Sequence, residues 1–266
     1  MAKKIKKIGL ALGSGAYRGF AHIGVIRTLE KHKLPISYLS GSSIGAWVAA
    51  YYSIFLDTIQ LESDLTKNSR ENLSLLLDLN WSGGLVGGNK FTTYLERKLE
   101  GKNFSDAQIP LRLVATDLLS ARPYVFSRGR LSTAVRASTS VPIIFKPLEY
   151  DSCLLADGGM SNPVPSNLVK DMGADVVVGV NLYHDNEFKE KKLNLSKLVV
   201  RSSLVMLNNL AKSSLVNADV VISPDLSNIG PKNSLSKYFT PKIAQEMILI
   251  GERAAEKAIP DIKALL

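Results

Sequence analysis

The stretch Tyr38–Tyr52, YLSGSSIGAWVAAYY, contains Gly41-Ser-Ser-Ile-Gly45 with Ser43 at its centre. Gly-x-Ser-x-Gly alone decides little, since a chain this long matches it by chance in roughly one protein in ten. Its surroundings carry more. Tyr38-Leu39-Ser40 reads as the end of a short strand, and Ala46 to Tyr52 as an apolar helix. Strand, tight turn and helix form the context in which such a serine stands exposed at a strand end. The adjoining helix N-terminus favours developing negative charge there. The plain alternative is an ordinary Gly/Ser turn.

Outward from this stretch, strands and helices alternate. Lys7 to Leu12 reads as a buried strand, Gly13 to Gly19 as a Gly-rich loop, and Phe20 to His32 as a helix with Phe20, Ile23, Ile26 and Leu29 at helical spacing. Further strands are expected at Leu111 to Thr116, Arg122 to Ser127, Cys153 to Ala156, Asp175 to Leu182 and in ADVVISP. Further helices are expected at Phe91 to Leu99, Leu131 to Ser138, Ser166 to Met172, Leu195 to Val216 and Pro241 to Ala258. DVVVGVNL is apolar throughout, as a strand buried on both faces is. The alternation predicts a three-layer α/β/α fold with a largely parallel central sheet and helices on both faces.

The chain has 266 residues, of which 45% are hydrophobic, which suits one α/β domain over residues 1–266. Its single cysteine, Cys153, cannot form an internal disulfide, so a reducing, cytoplasmic setting is expected. The start, MAKKIKKIGLALGSG, resembles a signal peptide only superficially, because its apolar run is too short. No stretch approaches the ~20 apolar residues of a membrane-spanning helix. The net charge is +9, with Lys3, Lys4, Lys6 and Lys7 in a basic tail. Such a surface attracts anions, and transient contact with an anionic membrane is compatible with it. No zinc-ligand spacing, RNA-binding aromatic motif or basic zipper accompanies the charge, so no nucleic-acid partner is expected.

The loop Gly13-Ser-Gly-Ala-Tyr-Arg-Gly19 can supply backbone N–H groups to an oxyanion. A dinucleotide cradle would require Gly-x-Gly-x-x-Gly. Here the third glycine is displaced by one position, and the acidic residue expected after the second strand is missing.

For the base, the residues leave two candidates nearly level. His184 follows Ser43 in chain order and sits after an apolar strand, as a Ser–acid–His triad requires. Asp157 also ends an apolar strand, and Gly158 and Gly159 follow it, so its carboxylate can stand close to another turn. Asp117 and Asp151 are of the same type but lack the paired glycines.

GSGAYRGFAHIGVI, GSSIG and DGGMSNPVP, in this order and spacing, resemble the patatin-like phospholipase family, and VRASTSVPIIFKP looks like its connecting segment. The similarity runs from about Ile8 to Lys170. The resemblance implies a Ser–Asp dyad with Ser43 as nucleophile and Asp157 as general base, so that no histidine is required. It implies an oxyanion hole at the N–H groups of Gly15 and Ala16, with Arg18 fixing the loop. Gly13, Ser14, Gly19, Gly41, Gly45, Gly158 and Gly159 complete the motifs. Ser14 and Ala16 stand where the family usually has glycine.

Members hydrolyse acyl esters of phospholipids, lysophospholipids or neutral lipids and use no metal or other cofactor. The expected partner is therefore a lipid or acyl-ester substrate. The alternatives are a soluble esterase or thioesterase using His184, or a catalytically weak regulatory protein on the same fold. Leu73, Leu75, Leu76, Leu77, Leu79 and Trp81 could form a lid or an interfacial surface; buried helix is the plainer reading.

Overall fold

The computed structural model describes residues 6–67, 88–142, 144–184, 194–229 and 240–266. The segment from Leu73 to Trp81, read as a lid or helix, lies outside the described residues, as do Lys3 and Lys4. Lys6 and Lys7 are tied to the body of the protein: Lys6 Nζ donates to the Leu265 carbonyl and Lys7 N to Asp175 Oδ2.

Among the described residues the strands are β1 (Ile8–Leu12), β2 (Ile36–Ser42), β3 (Leu111–Asp117), β4 (Arg122–Phe126), β5 (Leu148–Tyr150), β6 (Cys153–Ala156), β7 (Val176–Val180) and β8 (Val220–Ile222). They form one sheet in the order β5-β6-β3-β2-β1-β7-β8, with β4 paired to β3. β3, β2, β1, β7 and β8 run parallel. β4, β5 and β6 form an antiparallel patch at one end. The short connections explain it. Four residues join β3 to β4, too few for the crossover that a parallel neighbour needs. Asp151 and Ser152 join β5 to β6 with φ of 51° and 61°, the sign that a type I′ hairpin requires at both positions. The three-residue β5 was not expected from sequence.

The helices are α1 (Phe20–Lys31), α2 (Ile44–Phe55), α3 (Thr58–Lys67), α4 (Asn89–Lys98), α5 (Leu131–Ser138), α6 (Ser166–Asp171), α7 (Leu195–Ser214) and α8 (Pro241–Ala264). The alternation of strand side chains sets the layers. Ile8, Leu10 and Leu12 of β1 and Val176, Val178 and Val180 of β7 face a core shared with α1, α2, α5 and α8. Ala11 and Val177 face the opposite way, onto a smaller core with Val164, Val169 of α6 and Ala211 of α7. β1 and β7 are therefore buried on both faces, which is why their sequences are apolar throughout. α8 continues past Ala258 through Pro260, which sequence alone would place beyond its end. Ile259 and Ile262 are buried, and their packing outweighs the hydrogen bond that the proline removes.

Candidate active site

β2 runs into α2 through a single residue, Ser43, with φ 54° and ψ −123°. An L-residue held at positive φ costs roughly 1–3 kcal/mol and persists only where its neighbours determine it. Three contacts do so here. The Ser43 carbonyl accepts from the N–H groups of Ala46 and Trp47 in the first turn of α2. The Ser43 N–H donates to Ser138 Oγ at 2.8 Å, and that hydroxyl donates on to the Val114 carbonyl at 2.6 Å. Gly45 lets this turn press against β1, since a Cβ there would collide with the Leu12 carbonyl. Gly41 lies within β2. Ser138 lies in the segment VRASTSVP but carries no signal of its own there; only the fold reveals its bond to Ser43.

The antiparallel patch brings Asp157 to this turn. Ser42, the last residue of β2, pairs with Val114 of β3. Ala156, the last residue of β6, pairs with Thr116. β4 occupies the other edge of β3 along these residues, so β2 and β6 share one edge and meet end to end. The next residue of each strand faces the gap. Ser43 Oγ donates to Asp157 Oδ2 at 2.6 Å, and both residues are buried. Gly159 N–H donates to the other carboxylate oxygen at 2.8 Å. The Asp157 main chain is held by Ser140, whose carbonyl accepts from its N–H, and by Thr116, whose hydroxyl donates to its carbonyl. A Cβ at Gly158 would strike the Val114 carbonyl, so the turn can lie flat on β3 only as glycine. Burial pushes the Asp157 carboxyl up to about 6, against the opposing pull of the bonds from Ser43 and Gly159.

The Gly-rich loop follows β1 at the same end of the sheet. Gly13 N–H donates to the Val180 carbonyl and Ser14 N–H to the Pro163 carbonyl. Ser14 Oγ meets the Tyr183 hydroxyl at 2.9 Å. Arg18, buried, donates through Nε to the Gly15 carbonyl and through Nη1 to the Leu182 carbonyl, tying the loop to the chain after β7. Gly19 ends a short 3-10 turn that leads into α1. Among the described residues, the N–H groups of Gly15 and Ala16 have no acceptor. Ala16 sits at φ 52°, a conformation that glycine would adopt more readily.

His22 was not singled out from sequence. It is fully buried on α1, and its Nε2 lies 2.8 Å from the Gly13 carbonyl. Burial pulls its imidazolium down to about 4, so it is neutral and donates to that carbonyl at ordinary pH.

The other candidates are placed differently. Asp117 caps its own turn, accepting from the N–H groups of Leu119, Ser120 and Leu154 and from the Ser120 hydroxyl. Asp151 accepts from the Tyr124 hydroxyl beside the β5–β6 turn. His32, at the end of α1 and not a candidate, is bonded to Glu256. His184 is half-buried after β7, and the bond from the Ser43 hydroxyl goes to Asp157.

Residues 10–169 match the family model described as patatin-like phospholipase. The chain belongs to this family. It is 36% identical over 178 residues to an NTE family protein of Mycobacterium tuberculosis, covering 66% of this chain and 49% of that one. It is 31% identical over 186 residues to the human patatin-like phospholipase domain-containing protein 6, covering 68% of this chain and 14% of that one. A lysophospholipase of Coccidioides immitis is 31% identical over 181 residues, 66% of this chain and 12% of its own. The patatin-like chain thus spans half or less of the length of these relatives. Among solved structures, VipD of Legionella pneumophila has a TM-score of 0.54 at 13% identity, over 97% of this chain and 67% of that one, a likeness of fold.

Proposed function

We propose that this patatin-like protein is a serine acyl hydrolase that cleaves fatty-acyl esters of lipids, phospholipid or lysophospholipid, through Ser43 and Asp157. The observation that carries the reading is the 2.6 Å bond from Ser43 Oγ to Asp157 Oδ2 in a buried setting. Family membership and the relative named as a lysophospholipase support the substrate class.

In this reading Ser43 Oγ attacks the ester carbonyl carbon and passes its proton to Asp157 Oδ2. The carbonyl oxygen becomes an oxyanion and takes N–H bonds from Gly15 and Ala16. Collapse of the tetrahedral species breaks the bond to the alcohol oxygen, which leaves with the proton from Asp157 and so generates an acyl-enzyme. Asp157 then takes a proton from water, whose oxygen attacks the acyl carbon. Collapse of this second tetrahedral species breaks the bond to Ser43 Oγ, which takes the proton back from Asp157 as the fatty acid leaves. An ordinary carboxylate is a weak base. One whose burial raises its affinity for protons is better matched to this transfer near neutral pH.

Labelling with a fluorophosphonate probe tests the reading. Wild type should label, and Ser43→Ala and Asp157→Asn should not. Folded wild type that fails to label would overturn it. A panel of phospholipid, lysophospholipid, triglyceride and short p-nitrophenyl esters then orders the substrates.

A further inference from the structure

Helix α7 has twenty residues, about 30 Å of helix, and only part of it is packed. Leu204, Leu207, Asn208 and Ala211 face the smaller core, and Ser214 accepts bonds from the Val164 N–H and the Ser166 hydroxyl. Among the described residues, none of α7 before Leu204 packs against either core. Leu195 is 79% exposed, Leu198 49%, Val199 50% and Val200 60%. Farther along, Met206, 66% exposed, continues the outward face of Leu195 and Val199 at helical spacing. Apolar side chains left exposed along the part of a helix that rests on no core point to a second environment.

The position and charge of α7 narrow that environment. Its packed part rests on Val164 and on Tyr183, which is bonded to Ser14 of the Gly-rich loop, and it touches the Gly158–Met160 turn that follows Asp157. It therefore stands on residues that border the Ser43–Asp157 pair. Met160 in that turn and Leu119 after β3 are exposed apolar residues as well. The described basic side chains of α7 are Arg201 and Lys212, its sequence holds no acidic residue, and the net charge of the chain is +9. Apolar exposure with purely basic charge matches a bilayer surface containing anionic lipid. None of the described helices is long and apolar enough to cross a membrane.

We infer that the N-terminal half of α7 is the docking element that seats the mouth of the Ser43 site on an anionic lipid surface. This rests on the acyl-hydrolase reading for its purpose but not for its test. The probes are vesicles of phosphatidylcholine with and without phosphatidylglycerol, and the soluble ester p-nitrophenyl butyrate. The full-length wild type should co-sediment with phosphatidylglycerol vesicles at low salt. Leu198→Ser/Val199→Ser, at exposed positions, should bind them at least tenfold more weakly, with unchanged Tm and unchanged turnover of the soluble ester. Ser43→Ala should bind as wild type does. Equal vesicle binding by the double variant would overturn the inference. So would a wild-type dimer that the double variant dissociates and that binds no vesicles. If binding depends on α7 while wild type neither labels with fluorophosphonate nor hydrolyses any ester, docking stands and the acyl-hydrolase reading falls. If wild type hydrolyses lipid and the double variant binds equally, docking alone falls.

Discussion

The backbone N–H of Ser43 donates to the hydroxyl of Ser138, which in turn donates a hydrogen bond to the Val114 carbonyl. The Ser43 amide is thus occupied, and in the acyl-hydrolase reading the oxyanion donors come from elsewhere. Ser138→Ala leaves a buried N–H and a buried carbonyl unpaired, at a cost of about 1–3 kcal/mol. The expected result is a lowered Tm and a roughly tenfold loss of kcat, with KM for a short ester little changed. Thermal melts and p-nitrophenyl ester kinetics would check both.

Asp157→Asn should separate activity from stability. The folded carboxyl at about 6 lies above its ordinary 3.8, so the unfolded chain releases this proton first. Stability from this group is therefore lost as pH rises from about 4 to 6, on the order of 3 kcal/mol in all. The variant should lose turnover by several powers of ten, yet melt higher than wild type at pH 7 to 8. The Tm gap should close near pH 4. A lower Tm for the variant at pH 8 would contradict this. In wild type, kcat/KM should rise with pH through about 6 as the base ionises.

His22 tilts the other way. Its folded value of about 4 lies below the ordinary 6.5, so its contribution is full above 6.5 and is lost as pH falls towards 4. Between pH 4 and 6 it opposes the Asp157 slope, and wild-type stability should be nearly flat there. In Asp157→Asn the slope of His22 is uncovered, so that variant should gain stability as pH rises over this window. Denaturant titrations of both proteins at pH 4, 5 and 6 would reveal it.

His22→Phe removes the donor to the Gly13 carbonyl. The loop of Gly15 and Ala16 should lose its alignment, giving a drop in kcat larger than any rise in KM. His22→Asn, which can still donate, should recover part of the activity.

His184→Ala should retain turnover within about twofold, because the Ser43 hydroxyl is bonded to Asp157. A triad would predict a loss of several powers of ten. The same ester assay decides between them.

Much of this architecture could be read from residues alone. IGLAL announced a buried strand, VVVGV one buried on both faces, and the Gly-flanked Ser43 a sharp strand-to-helix turn. The pairing of Ser43 with a partner could not be read the same way. Asp157 and His184 both follow apolar strands, and CLLA says nothing of the direction in which β6 runs. That direction follows from the two-residue turn at Asp151 and Ser152, whose sequence lacks the Asn-Gly or Asp-Gly signal of such hairpins. Ser138 and His22 were hidden for another reason. Each bonds a backbone group outside its own helix, and a lone Ser or His on a helix has no spacing that betrays such a bond.

The end-to-end meeting of β2 and β6 makes β3 a ruler. Val114 holds one strand end and Thr116 the other, two residues or about 7 Å apart. One residue added between them would widen the interval by about 3.4 Å and turn one side chain to the opposite face. Val114, Ala115 and Thr116 supply neither the hydroxyl nor the carboxylate of the pair. Yet the reach between hydroxyl and carboxylate is set by how many residues they span, and a length change there should be far less tolerated than a change of side chain.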